Sequence, residues 1–516
     1  MRVAVAVALA LAARAGALDN GLGLTPQMGY STWNDFRCDG LTADAVKRIA
    51  DRIVELGLAT LGYRYLNIDD CWSRELSPEG LLVEDPLAFP EGIAALVDYV
   101  HERGLLFGIY TCRGTRTCAL RPGSKGLERH HAAQFAQWGV DYVKEDSCFA
   151  SNEHEQAFSE YAAMRDALNS TGHPLFFSLC GWNTWYAPRG AQLANSWRIA
   201  PDCDEWANVY VAVRTNEALA RFAGPGGWND PDMLVGSHPD AAVQLTPRQV
   251  QTQFNLWAVM ASPLLIGSSI LRMPGSDLAT YSNEEVIRIN QDPLGVQGVP
   301  VWSSCPPFAP RDNWWMAPWT MPQDVARMWT RLLSTCLVAA AALIALLARA
   351  LRFTRGAAPA VHGAHDPILL APVATDGSTL ADKAPSPALP RARAAIWRYC
   401  VSRGCLAAML VLLALLSLPA LAMLVAIHAM KPRAEPCQQV WVRPLEGGAA
   451  AICLVNFAPD VARIVCDAAC LDQAGFPLGV HVRDVVARRD MGPVQSLDMD
   501  VPGDGGSFLF RVSPRD

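Results

Sequence analysis

The stretch DYVKEDSC, residues 141–148, runs from the apolar Tyr142 and Val143 straight into Lys144, Glu145 and Asp146. Taken alone, such an ending is a strand reaching solvent, where Lys144 and Asp146 form a weak hydrated pair. Four further apolar runs end in the same way. Tyr65–Asp70 closes on Asp69 and Asp70, and Leu105–Tyr110 closes on Tyr110. Asn195–Ile199 carries Arg198, with Asp202 a few residues on, and Gly227–Asn229 leads into Asp230-Pro231-Asp232. Polar residues at so many successive ends point to a shared pocket. Two carboxylates from different strands can act as nucleophile and proton donor in glycoside cleavage. Further carboxylates, with Lys and Arg, can hold sugar hydroxyls through charge-assisted hydrogen bonds, and Trp faces suit the apolar side of a sugar ring. Spacing alone leaves open which acid does which.

Such residues need strands that all end on one side. Candidate strands are Met28–Trp33, Tyr65–Asp70, Leu105–Tyr110, Tyr142–Asp146, Leu175–Cys180, Asn195–Ile199, Gly227–Asn229 and Pro263–Gly267. Amphipathic stretches lie between them; Thr42 to Leu58 carries Val46, Ile49, Ile53, Val54 and Leu56 at helical spacing. Eight strands alternating with helices predict an α/β fold, a (β/α)8 TIM barrel over residues 18–295, whose strand C-termini form one mouth. Residues 296–328 begin a second domain, with a first strand near Val299. Short runs at Gln439–Val442, Ala451–Asn456, Val461–Val465, Val480–Val486 and Ser507–Val512 predict that residues 431–516 form an antiparallel β-sandwich domain.

Two apolar stretches interrupt this scheme. Residues 332–348 and 404–430 carry no charge, so transmembrane helices are expected at 329–348 and 404–430. The Ala/Pro-rich segment 349–403 has seven Arg and one Lys against three Asp, the signature of a cytosolic loop. The spans are either an inserted membrane hairpin, since long insertions are tolerated, or an error in the coding sequence. At the N-terminus, Arg2, the apolar run Val3–Ala13 and Ala15-Gly16-Ala17 read as a signal peptide over residues 1–17. Secretory entry makes disulfides plausible among the 15 Cys and Asn169-Ser170-Thr171 a glycosylation sequon. The net charge of -7, with no grip for phosphates, argues against a nucleic-acid partner. The spans carry no acid or base beyond His428, against a transporter. No Cys/His cluster has ligand spacing, so no metal or other cofactor is expected.

Six motifs in order carry a resemblance: Met28-Gly29-Tyr30-x-x-Trp33, Tyr65-Leu66-x-Ile68-Asp69-Asp70-Cys71-Trp72, Gly108-Ile109-Tyr110, Lys144-x-Asp146-x-Cys148, Trp197-Arg198-x-x-x-Asp202 and Trp228-Asn229-Asp230-Pro231-Asp232-Met233. They are similar to the α-galactosidases of glycoside hydrolase family 27, as are Ile289–Gly295 and residues 439–512. The resemblance implies a retaining exo-α-galactosidase, with Asp146 as nucleophile and Asp202 as acid/base. It implies that Asp69, Asp70, Lys144, Arg198 and Asp232 bind galactose hydroxyls, and that Trp33, Tyr110 and Met233 line the pocket. It also implies disulfides Cys38–Cys71 and Cys118–Cys148. Substrates would be galactose-containing glycosides, oligosaccharides or glycolipids, met in a lumenal, lysosomal or vacuolar, or extracellular compartment, by a chain free to form a homodimer. The chain departs from the family at Gly181, which would leave room near the sugar C2, and at Thr184 and Trp185. Cys180 lacks a partner at Ala194 and faces a choice between pairing with Cys203 and remaining free. The departure at Gly181 keeps α-N-acetylgalactosaminidase and β-L-arabinopyranosidase as alternatives. A membrane-tethered galactose-binding lectin is a third, against which the intact Asp146 and Asp202 argue.

Overall fold

The structure, a computed structural model, describes residues 18–238, 244–309, 335, 338 and 434–515. The chain divides into two compact units, residues 1–322 with 432–516, and residues 323–431. Apart from Thr335 and Val338, both helical and exposed, the described residues belong to the first. The signal-peptide expectation at 1–17, both span expectations and the loop 349–403 therefore fall outside the description, those two residues aside. Among the described residues, no helix is long and apolar enough to cross a membrane.

The first half is a barrel of parallel strands: β1 (Met28–Ser31), β2 (Tyr65–Asn67), then, past a small hairpin of β3 (Ser73–Leu76) and β4 (Leu82–Glu84), β5 (Leu106–Cys112), β6 (Tyr142–Asp146), β7 (Phe176–Cys180), β8 (Ser196–Arg198), β9 (Trp228–Asp230) and β10 (Leu264–Ile266). With the hairpin set aside, successive strands pair from β1 through to β9, and β10 pairs with β1. A parallel bridge between Leu234 and Ile266 closes the ring. All eight expected strands are present, with ends shifted by up to three residues. The helix Ala43–Glu55 starts where Thr42 accepts a hydrogen bond from the Ala45 backbone, and it buries Val46, Ile49, Ala50 and Ile53.

The strand period of two decides what each side chain of β6 meets. Tyr142, Lys144 and Asp146 alternate on the inner side, where the Tyr142 ring stacks on Phe176 at 5.0 Å in the barrel floor. Val143 and Glu145 face the surrounding helices and are fully buried.

The second half is a sheet of β11 (Val299–Ser303), β12 (Gln438–Pro444), β13 (Ala450–Asn456), β18 (Gly506–Pro514), β15 (Val480–Asp484) and β16 (Arg489–Val494), opposite the pair β14 (Ala462–Cys466) and β17 (Leu497–Val501). One face packs Val440, Val442, Ile452, Leu454 and Phe510 into the sandwich core. The other sends Trp441, Ala451, Cys453 and Leu509 into the core shared with the barrel. With both faces covered, β13 reads as an unbroken apolar run. The buried helix Pro247–Val259 bonds across this junction, Thr252 donating to the Gly505 carbonyl at 2.7 Å. Strand β11, before the interruption, pairs antiparallel with β12, after it, and a disulfide Cys305–Cys437 joins their ends with Cα atoms 4.8 Å apart.

Candidate active site

A cleft opens at the C-terminal ends of the barrel strands, lined by Trp33, Asp69, Asp70, Tyr110, Cys118, Lys144, Asp146, Trp182, Arg198, Asp202 and Met233. Every expected catalytic or binding residue lines it except Asp232, which lies just beneath with Asp69, Lys144, Arg198 and Met233.

The turn after β2 is held by its own carboxylates. Asp70 accepts from the backbones of Cys71 at 2.7 Å and Ala119 at 2.9 Å, and burial raises its pKa. Lys144 bonds Asp69 at 2.7 Å. Asp146 receives hydrogen bonds on both oxygens, from the Tyr110 hydroxyl at 2.9 Å and from the Ser147 backbone at 2.8 Å. Its carboxyl is nevertheless pushed up to about 6 by burial, which Lys144 and the Ser147 N–H only partly offset. Arg198 bridges two acids, donating to Asp202 at 2.9 Å and to Asp232 at 2.9 Å. Burial pushes Asp202 up, but the Arg198 guanidinium and Lys144 outweigh it and hold Asp202 below the usual carboxylate range. The deeper Asp232 is raised to about 7, by burial first. Both expected disulfides are formed, together with Cys305–Cys437 and Cys466–Cys470. The sulfurs of Cys118 and Cys148 lie within 4.8 Å of the Asp146 carboxylate but are bonded to each other, so they offer no thiolate to a metal.

One expectation needs correction. Gly181 does not leave room: a Cβ there would lie 2.0 Å from Cε2 of Tyr186, whose ring fills the space. The cleft is instead lined by the next residue, Trp182, held at a positive φ of 57°. Of the two arrangements open to Cys180 and Cys203, the structure has both as free, buried thiols; Cys180 sulfur accepts from Arg198 at 3.7 Å. Trp182 was missed although an aromatic just past a strand end was the available signal. Asn169 is exposed in the last turn of the helix His154–Ser170.

Behind Asp146, Glu145 is fully buried and neither carboxyl oxygen has a hydrogen-bond partner among the described residues. Burial raises its pKa strongly. Glu145, Asp146 and Asp232 thus hold protons that the unfolded chain, with carboxyl pKa values of about 4, releases. Stability should be greatest near pH 4 to 5 and fall as pH rises through the folded values of about 6 and about 7 for Asp146 and Asp232. We expect the melting temperature to be several degrees higher at pH 5 than at pH 7.5, and Glu145→Gln, uncharged and of equal shape, to narrow that gap. Melting curves of both proteins across this range check it; a flat profile contradicts it.

Residues 25–292 match the Melibiase_2 family, described as alpha galactosidase A, and residues 435–510 match its C-terminal beta sandwich domain. The chain is 46% identical over 285 residues to alpha-galactosidase 3 of Arabidopsis thaliana, covering 54% of this chain and 63% of the relative. It is 44% identical over 292 residues to an alpha-galactosidase of Cyamopsis tetragonoloba, covering 55% and 69%. In fold it is similar to the Saccharomyces cerevisiae alpha-galactosidase, with a TM-score of 0.66 at 23% identity over 96% of this chain and 99% of that one. The β-L-arabinopyranosidase of Geobacillus stearothermophilus shares the fold with a TM-score of 0.64 at 18% identity, over 97% and 100%.

Proposed function

Since the chain belongs to glycoside hydrolase family 27, the α-galactosidase family, we propose that it is a retaining, exo-acting α-galactosidase. Asp146 attacks the anomeric carbon while Asp202 protonates the departing oxygen; Asp202 then takes a proton from the water that cleaves the galactosyl–Asp146 ester. Asp69, Asp70, Lys144, Arg198 and Asp232 hold the sugar hydroxyls, and Trp33, Tyr110, Met233 and Trp182 shape the pocket. The observation that carries this reading is the convergence of Asp146 and Asp202, from different strands, on one cleft with Asp69, Asp70, Lys144 and Arg198. The four disulfides among the described residues and the exposed Asn169 support passage through an oxidising, glycosylating compartment. The test is a panel of nitrophenyl α-galactoside, α-N-acetylgalactosaminide and β-L-arabinopyranoside: preferential hydrolysis of either of the last two overturns the galactosidase assignment.

The free site holds its proton in the wrong place for the first step. Burial favours a protonated Asp146, whereas Arg198 keeps Asp202 ionised. The reactive form, with the proton on Asp202, has the same net charge and is the minority partner of this pair. A sugar oxygen entering beside Asp202 must loosen its contact with Arg198. Below about pH 6 the ratio of the two forms is constant; above it the pair loses its proton. We expect kcat/KM to fall as pH rises through about 6. A pH–rate profile on a good substrate checks this; a value still climbing between pH 6 and 8 contradicts it.

A further inference from the structure

The cleft residues touch the sugar side of Asp146; the opposite side is built around one buried cation. Arg113 directly follows β5, is 1% exposed, and lines no part of the cleft. Its backbone N–H donates to the Asp146 carbonyl at 3.0 Å. Its side chain donates to the Ser147 hydroxyl at 3.0 Å and the Ser151 carbonyl at 2.7 Å, and it forms an ion pair with Glu160. It also reaches the Tyr186 hydroxyl at 3.4 Å and lies over the Tyr161 ring. Ser147 is the link to the reacting group. Its backbone N–H bonds one Asp146 oxygen at 2.8 Å, while its hydroxyl is shared between Arg113 and the Tyr161 hydroxyl at 2.7 Å. Tyr186 is the ring packed on Gly181, next to Trp182. One guanidinium thus ties together the end of β5, the loop after β6 and the loop after β7.

We propose that Arg113 is a positioning residue for Asp146: by fixing Ser147 from behind, it holds the N–H that sets the carboxylate's rotamer against the anomeric carbon. This rests on the reading of Asp146 as nucleophile. A planar fork with several donors can hold Ser147, Ser151, Glu160 and Tyr186 at once, and a Lys ammonium on a single stem cannot match that geometry. Displacement of a reacting group by about 1 Å costs on the order of 10²-fold in rate, so a loosened Ser147 should be read directly in the attack step.

The experiment uses the full chain and a 2-deoxy-2,2-difluoro-α-galactoside of an activated phenol. The Asp146 oxygen bonds to C1, the C1–O bond breaks, the phenolate leaves, and the fluorines slow hydrolysis so that the ester accumulates. Mass spectrometry counts labelled sites, and the labelling rate per site reads nucleophile alignment. For Arg113→Lys we expect that rate to fall by about 10- to 100-fold, with competitive inhibition by galactose unchanged. Ser147→Ala, which keeps the backbone N–H and removes the hydroxyl link, should fall in the same direction by less. If Arg113→Lys does not fold, Ser147→Ala decides. An unchanged rate per labelled site, with fewer sites or a lower melting temperature, overturns the proposal and leaves Arg113 a fold-holding residue. Peptide mapping separates this from failure of the underlying reading, because label on a residue other than Asp146 overturns the nucleophile assignment itself.

Discussion

Asp146→Ala is expected to lower turnover of nitrophenyl α-galactoside by about 10⁴-fold or more, the scale on which enzymes lose a covalent nucleophile. No replacement stands nearby: Asp69 is bonded to Lys144, Asp70 to two backbone N–H groups, and Asp232 to Arg198 beneath the cleft. The fold should survive, because removing the side chain deletes a buried acid whose pKa is already raised to about 6. Azide should restore turnover by entering the vacated space. Its nitrogen bonds to C1 as the phenolate departs, giving β-galactosyl azide, of inverted configuration. Residual activity within about tenfold of the parent would reject Asp146 as the nucleophile, since a lost covalent step costs far more.

Asp202→Ala should act selectively. Loss of a general acid costs roughly 10²- to 10⁴-fold where the leaving oxygen is strongly basic, and little where it departs unaided. Methyl or unsubstituted phenyl galactosides should therefore suffer far more than dinitrophenyl galactoside. On the activated substrate the galactosyl–Asp146 ester should accumulate, because no base is left to activate water. Azide needs no base, and its attack on that ester yields α-galactosyl azide, of retained configuration. The two variants thus give opposite azide anomers. Equal losses across leaving groups would reduce Asp202 to a sugar-binding residue.

The barrel and most of its cleft were legible because their signals are local. Lys144 and Asp146 alternate with Val143 and Glu145, and polar strand ends recur at Asp69, Tyr110 and Arg198. What escaped depends on neighbours distant in sequence. Trp182 enters the cleft through a left-handed backbone at φ 57°, and Tyr186 folds back onto Gly181. Neither can be read from composition. Strand β16 was missed because RDMGPV is largely exposed at the edge of its sheet and carries Gly and Pro; β17 was missed although Leu497, Met499 and Val501 alternate with acids and Leu497 and Val501 are buried in the sandwich core. Cys466–Cys470 is close in sequence, yet only the helix Ala468–Gln473 shows how its ends meet.

The disulfide between Cys305 and Cys437 makes the β-sandwich a socket. The two cysteines are 132 residues apart in sequence, yet their Cα atoms are 4.8 Å apart, at the ends of paired strands. Closing so long an excursion, relative to a tight turn, costs about 3 kcal/mol of chain entropy, and a covalent staple relieves the sandwich even of that. All cleft residues lie between Trp33 and Met233, so none belongs to the sandwich. A cargo of sequence can therefore be plugged in or withdrawn at this point, as an anchor or an address, without retuning the sugar chemistry. Where the enzyme resides and what it cleaves are separable traits, free to change on different evolutionary schedules.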